Sequence, residues 1–303
     1  VSTQVPALLD GLVDDAAVFP PGSAALPDAV AAHRRHRAAW YAGLVGPLLV
    51  PASKLPELAA LLHEDERIAV GVIADVPIAG LAAVCAEADP RIRIRQVEAA
   101  VAKRGEDPQP GVRELIDLAR RARDAAPAEP AGGDGRPHEV SPLDVYAELP
   151  LTFGLMAALD ALAAARAEGL PVAAKFRTGG LAAELFPTPA ELAAVICACR
   201  DLDLPFKLTA GLHQAVRHLD PETGFTHHGF ANLLAATVAA ADGAAADAVA
   251  GVLVKCSRGP LVDRIAAARD RARPLWIGFG SCSIVEPLTD LTRLGLLNGS
   301  EDA

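Results

Sequence analysis

The sequence predicts an α/β fold, a (β/α)8 TIM barrel with a histidine-containing insertion before the last strand. Three observations carry this. Strand-like apolar runs alternate with helical ones along the chain, as parallel strands joined by crossover helices require. Residues able to do chemistry recur at the C-terminal ends of those runs, where such barrels carry their sites. Neither a G-x-G-x-x-G fingerprint nor a P-loop is present, which weighs against the runner-up, a doubly wound sheet.

Taken in order, residues 3–11 and 24–39 have helical spacing, and VDDAAVFPPG between them, with two prolines and a glycine, reads as an extended turn. His33 and His36 read as part of the solvated face of the second helix. GLVGPLLVPAS (43–53) is a strand, and a helix opens at Ser53 with Pro56 and Glu57 in its first turn. RIAVGVIADV (67–76) is the next strand, followed by a helix over 77–88. RIRIRQVEAAV (91–101) alternates Arg with Ile and then delivers Glu98, before a helix over 111–124. Residues 125–142 mix Pro, Gly and charge without periodicity, which predicts a flexible surface loop inside one domain spanning 1–303. VYAELPL (145–151) is a short strand bearing Glu148, and 154–168 is an Ala-rich helix.

Strands starting near 170 and 204 follow. Beyond them, 214–272 reads as an insertion or lid, irregular at first and helical over 230–241 and 260–272. PLWIGFGSCSI (274–284) is the final strand, with a closing helix over 287–297. Seven strands are thus placed; the eighth lies either at 248–256, whose periodicity fits strand or helix, or near the N-terminus.

Composition narrows the function. A formal charge of −10 argues against nucleic acid or an anionic membrane as the main partner and leaves a small molecule, with a homo-oligomer possible. No apolar run is long enough to span a bilayer and no signal-peptide pattern opens the chain, so a cytoplasmic protein is expected. The five cysteines form no C-x-x-C pair; reduced thiols are expected, and Cys197 and Cys199 do not share a helix face. No cofactor or metal is called for.

Among 28 basic residues only five are Lys. Two of these, Lys175 and Lys207, end consecutive strands in matching segments, K-F-R-T-G and K-L-T-A-G, so both amines point to one end of the sheet. Arginine serves most charge roles; only lysine supplies an amine that can shed a proton and attack a carbonyl. Two neighbouring ammonium groups would repel, lowering the pKa of one.

These segments resemble the deoxyribose-phosphate aldolase family of class I aldolases on TIM barrels. KFRTG (175–179) is similar to the family's K-T-S-T-G, whose lysine forms the Schiff base. Thr188, Pro189 and Glu191 open a helix as the family's A-T-x-E does. FKLTAG (206–211) is similar to the second lysine motif, whose ammonium depresses the first pKa, and FGSCS (279–283) to the F-G-A-S-S closing the phosphate site. The likeness is fainter upstream, at VEAAVAKRG and VYAELPL. The sequence departs from the family in having Glu98 as the nearest carboxylate to the family's catalytic Asp, A-G-L-H with His213 in place of G-G-x-R, and a longer stretch before Gly280. A substrate other than deoxyribose phosphate is therefore expected.

The resemblance implies a Schiff-base lyase acting on a small, anionic carbonyl compound. Lys175 and Lys207 are the reactive pair, with Glu98, Glu148 and His213 as candidates for moving the proton. Glu148 could instead pair with Lys207. Arg177, Thr178, Gly179, Gly180, Thr209, Gly211, Gly280, Ser281 and Ser283 are candidates for binding the substrate or its phosphate, and His227 or His228 for reaching down from a lid loop. A rival reading joins His213, His227 or His228 and Glu148 around a divalent metal. A third is a barrel that binds a metabolite without transforming it.

Overall fold

The computed structural model describes residues 5–125 and 143–298, so all but the first residue of the expected loop at 125–142 lies outside the described residues. Eight parallel strands close into a barrel: β1 (Val13–Asp15), β2 (Val45–Pro51), β3 (Ile68–Ile73), β4 (Ile92–Ala100), β5 (Asp144–Glu148), β6 (Val172–Arg177), β7 (Phe206–Thr209) and, last, β10 (Trp276–Ser281). Between them β8 (His218–Leu219) and β9 (Thr226–His227) make a separate antiparallel hairpin. The barrel closes where β1 pairs with both β10 and β2.

Helices clothe the outside: α1 (Leu26–Ala38), α2 (Leu55–Leu61), α3 (Ile78–Ala86), α4 (Gln109–Ala125), α5 (Leu155–Ala167), α6 (Pro189–Asp201), α7 (Phe230–Ala241), α8 (Ala246–Leu253), α9 (Gly259–Ala268) and α10 (Val285–Arg293). The helices cover the outer face of the strands, so β6 is buried from Val172 to Phe176, interrupted chemically by Lys175, and ends on the exposed Arg177. Helix α6 starts where Thr188 caps it: Glu191 N donates to Thr188 Oγ1 at 3.2 Å, Thr188 N donates to Glu191 Oε2 at 2.7 Å, and Pro189 occupies the first turn.

The segment 214–272 carries the hairpin and α7 to α9. Helix α7 is buried from Phe230 to Ala240, which is why its sequence is apolar all round. The undecided stretch at 248–256 is helical through Leu253, so the eighth strand is the N-terminal one.

That strand, β1, is the main correction to the expected elements. Val13, Asp14 and Asp15 were expected in an extended turn, on the strength of the two prolines and the glycine that follow them. Both carboxylates are buried because each meets a partner: Asp14 faces the barrel interior, while Asp15 Oδ2 lies 3.0 Å from His33 Nδ1 on α1. His33 is therefore buried and not on a solvated face as expected. The helix expected at 3–11 is, within the described residues, a single 3-10 turn at Ala7–Leu9. Gly46 on β2 makes room for Asp14, since a Cβ there would stand 1.9 Å from Asp14 Oδ1.

Candidate active site at the barrel mouth

Residues two apart on a strand share a face, so Gln96 with Glu98, Tyr146 with Glu148 and Lys175 with Arg177 form three pairs directed to the same side. Register brings them level: Glu148 is the Cα partner of Lys175, which in turn is the partner of Lys207. Glu98 stands between the two amines. Lys175 Nζ lies 2.7 Å from Glu98 Oε2, and Lys207 Nζ donates to Glu98 Oε1. Each lysine has a second carboxylate, Glu148 Oε2 at 2.8 Å for Lys175 and Asp14 Oδ2 for Lys207. Gln96 Nε2 donates to Asp14 Oδ2 at 2.7 Å and to Glu98 Oε1 at 2.8 Å, tying the two acids together. Tyr146 sets its ring 5.3 Å from Lys207 Nζ.

This geometry reverses the expected electrostatics of Lys175. Burial opposes its charge, but Glu98 and Glu148 outweigh that and raise its pKa above the ordinary lysine range. Repulsion from the neighbouring ammonium is outweighed by the carboxylate that lies between the two cations. Burial likewise works against ionised Glu98, yet Lys175 and Lys207 pull its pKa down to about 2. Glu148 is also lowered, burial being offset by Lys175 and Arg177. Asp14 is raised, chiefly by burial and only partly countered by Lys207. Glu148 pairs with Lys175, not with Lys207.

Beside this cluster a recess of about 390 Å³ opens between the loops after β4, β5 and β6. Its walls include Leu149, Leu151, Leu185 and Phe186, and Glu148 and Arg177 are part of its lining. Lys175 and Glu98 are 4% and 1% exposed, whereas the Glu148 side chain keeps 18%. Glu148 is thus the link between the buried amine and the recess.

The remaining expected residues separate into three places. Thr178 Oγ1 donates to Ala210 O at 2.6 Å, and a Cβ on Gly179 would stand 2.8 Å from Gly211 Cα, so the two lysine motifs join backbone to backbone. Thr209 contributes its carbonyl to that joint, accepting from Thr178 N, and Gly180 packs on Leu185. His213 stands away from the lysines' carboxylate cluster, 3.9 Å from Cys282 Sγ and 3.4 Å from Glu286 Oε2, and lines a second hollow with Ser283. Gly280 is paired within the barrel wall, and the Ser281 hydroxyl donates to Ser283 O at 2.7 Å.

The two lid histidines behave differently from expectation. His227 Nδ1 donates to Gly211 O at 3.2 Å, and its ring stacks on His218. His228 is fully buried, donating from Nε2 to Pro187 O at 2.7 Å while Arg217 Nη1 lies 3.4 Å from its Nδ1. With both ring nitrogens engaged it holds the hairpin to the loop before α6 and does not reach into the barrel. Burial drops its pKa to about 4. Among the described residues, no three His, Cys, Asp or Glu side chains are grouped so as to hold a metal ion.

Sequence reasoning missed Asp14, Gln96 and Tyr146. Gln96 and Tyr146 were within reach of it, each standing two residues before a glutamate already singled out. Asp14 carried only the faint signal of an acid beside an apolar run. No protein-family model, curated protein or solved structure matches the chain.

Proposed function

We propose that the protein is a Schiff-base-forming lyase that makes or breaks a C–C bond in a small carbonyl compound. The observation that carries this is the position of Lys175 Nζ, held between Glu98 and Glu148 with Glu148 open to the recess. The likeness of the two lysine segments to the deoxyribose-phosphate aldolase family supports the same reading, with Glu98 in the place of the family's aspartate.

The amine starts as an ammonium ion. Transfer of its proton to Glu148 leaves a neutral amine and a carboxylic acid, a change with no net charge but one that is uphill in the resting site, because the raised pKa of Lys175 and the lowered pKa of Glu148 both oppose it. The lone pair then forms a bond to the carbonyl carbon, and the carbonyl oxygen takes a proton from Glu148. A second proton passes from nitrogen by the same route, water leaves, and an iminium ion remains. Its positive charge occupies the place of the ammonium, so Glu98 stabilises it without reorganisation. The iminium then accepts the electron pair of the C–C bond being broken: the β-hydroxyl of the departing fragment gives its proton to Glu148, and the fragment leaves as an aldehyde or ketone. Glu148 returns the proton to the enamine carbon, and water hydrolyses the new iminium to free Lys175.

Incubation of the protein with a panel of aldehydes and ketones, reduction with borohydride and peptide mass spectrometry tests this. A covalent adduct on Lys175 that is lost in Lys175→Met is expected. Absence of any adduct, with ligand still bound, would favour a metabolite-binding barrel, the reading supported by the near-complete burial and carboxylate pairing of both amines.

A further inference from the structure

We propose that the recess beside Glu148 takes a monocarboxylate with an apolar substituent, the carboxylate on Arg177 and a 2-oxo or 3-oxo carbonyl directed at Lys175. The carbonyl half of this rests on the Schiff-base reading; the carboxylate half does not. Arg177 Nε and Nη2 both contact one oxygen of Glu148, each at a long 3.3 Å, and no other partner engages its guanidinium among the described residues. A planar fork with unused donors, half exposed at the edge of a recess, suits a carboxylate.

Spacing agrees. Lys175 Nζ is 2.8 Å from Glu148 Oε2 and Arg177 is 3.3 Å from Oε1 of the same carboxylate. The amine and the guanidinium are therefore within about 8 Å of each other, a span that a carbonyl one or two bonds from a carboxylate covers with one hydrogen bond and one attack distance.

The charges lining the recess disfavour a phosphorylated ligand. Glu148, Glu184 and Glu191 line the recess with Arg177 and Arg104, so a dianion would meet more acids than bases. Arg104 already donates to Glu184 O at 3.2 Å. A single negative charge adds less to that excess and can use the donors that Glu148 leaves free on Arg177, and Leu149, Leu151, Leu185 and Phe186 would take the apolar substituent.

The test uses the full chain and three probes: 4-methyl-2-oxopentanoate, 4-methylpentanoate, which lacks the ketone, and inorganic phosphate. Calorimetry is expected to detect both organic acids but not phosphate, with affinity falling about tenfold or more in Arg177→Met and less in Arg177→Lys. Arg177 is 43% exposed in its side chain, so Arg177→Met is expected to melt like the wild type. Borohydride is expected to fix only the oxo acid, on Lys175.

Binding of 4-methylpentanoate that depends on Arg177, with no oxo-acid adduct, would uphold the recess and reject the Schiff-base reading. Oxo-acid adducts on Lys175 that form equally well in Arg177→Met would uphold the Schiff base and overturn this proposal. Failure of both organic acids to bind, or binding indifferent to Arg177, would also overturn it.

Discussion

Replacing Glu98 with Gln removes the one charge shared by both amines while keeping the side chain's length and its ability to accept hydrogen bonds. Lys175 Nζ sits 2.7 Å from the oxygen that would be neutralised. At an effective dielectric near 20, unit charges about 4 Å apart interact by about 4 kcal/mol, equivalent to about 3 pKa units. Lys175 retains Glu148, so its pKa is expected to fall by about that amount towards the ordinary lysine value and not below it. The chain has only five lysines, so labelling them with carbon-13 at Cε gives few enough signals to assign with Lys→Arg variants. In the wild type the Lys175 signal should stay flat into alkaline pH, and in Glu98→Gln it should titrate with the exposed lysines. A wild-type Lys175 that titrates below them, or a variant that titrates like the wild type, would refute the reasoning.

Two further predictions follow from the packing. The folded-state pKa of His228 is depressed from 6.5 to about 4, so between those values the unfolded chain binds more protons and stability is lost as pH falls through that window. Urea unfolding should show a loss of up to about 3 kcal/mol from this residue between those pH values, and His228→Gln should flatten that part of the profile. Gly46→Ala forces Asp14 aside, because the added Cβ would lie 1.9 Å from its Oδ1, and should cost about 1–3 kcal/mol in urea unfolding. Gly80→Ala, on α3 with nothing within 4 Å of its Cβ, should be neutral or stabilising in the same assay and serves as the control.

The alternation of strand and helix was legible because each barrel strand from β2 onward is covered by helices and so reads as an apolar run with turn signals at its ends, whereas the β8–β9 hairpin outside the barrel gave no such run. Helix α7 was legible to the residue, its Phe230–Ala241 span set off from polar flanks. Strand β1 was not, because it is three residues long and two of them are aspartates. What buries those acids is Lys207 and Gln96 for one and His33 for the other. The histidines misled for a related reason. His33 and His228 look polar in sequence, and only the carboxylate or carbonyl waiting beside each shows that burial is tolerated.

Sequence by itself determined the barrel's strand and helix repeat from β2 onward and the placement of two rare lysines at matching strand ends, since both follow from period and position along one chain. Tertiary structure alone decided the raised pKa of Lys175 and the ion pairing of Lys207. Glu98 lies far from Lys175 and Lys207 in the chain, and Asp14 farther still, yet strand register and barrel closure bring these carboxylates to the amines. A pKa depends on charges in space, and the strand that repeats the lysine pattern does not record which acids the closed ring will turn inward.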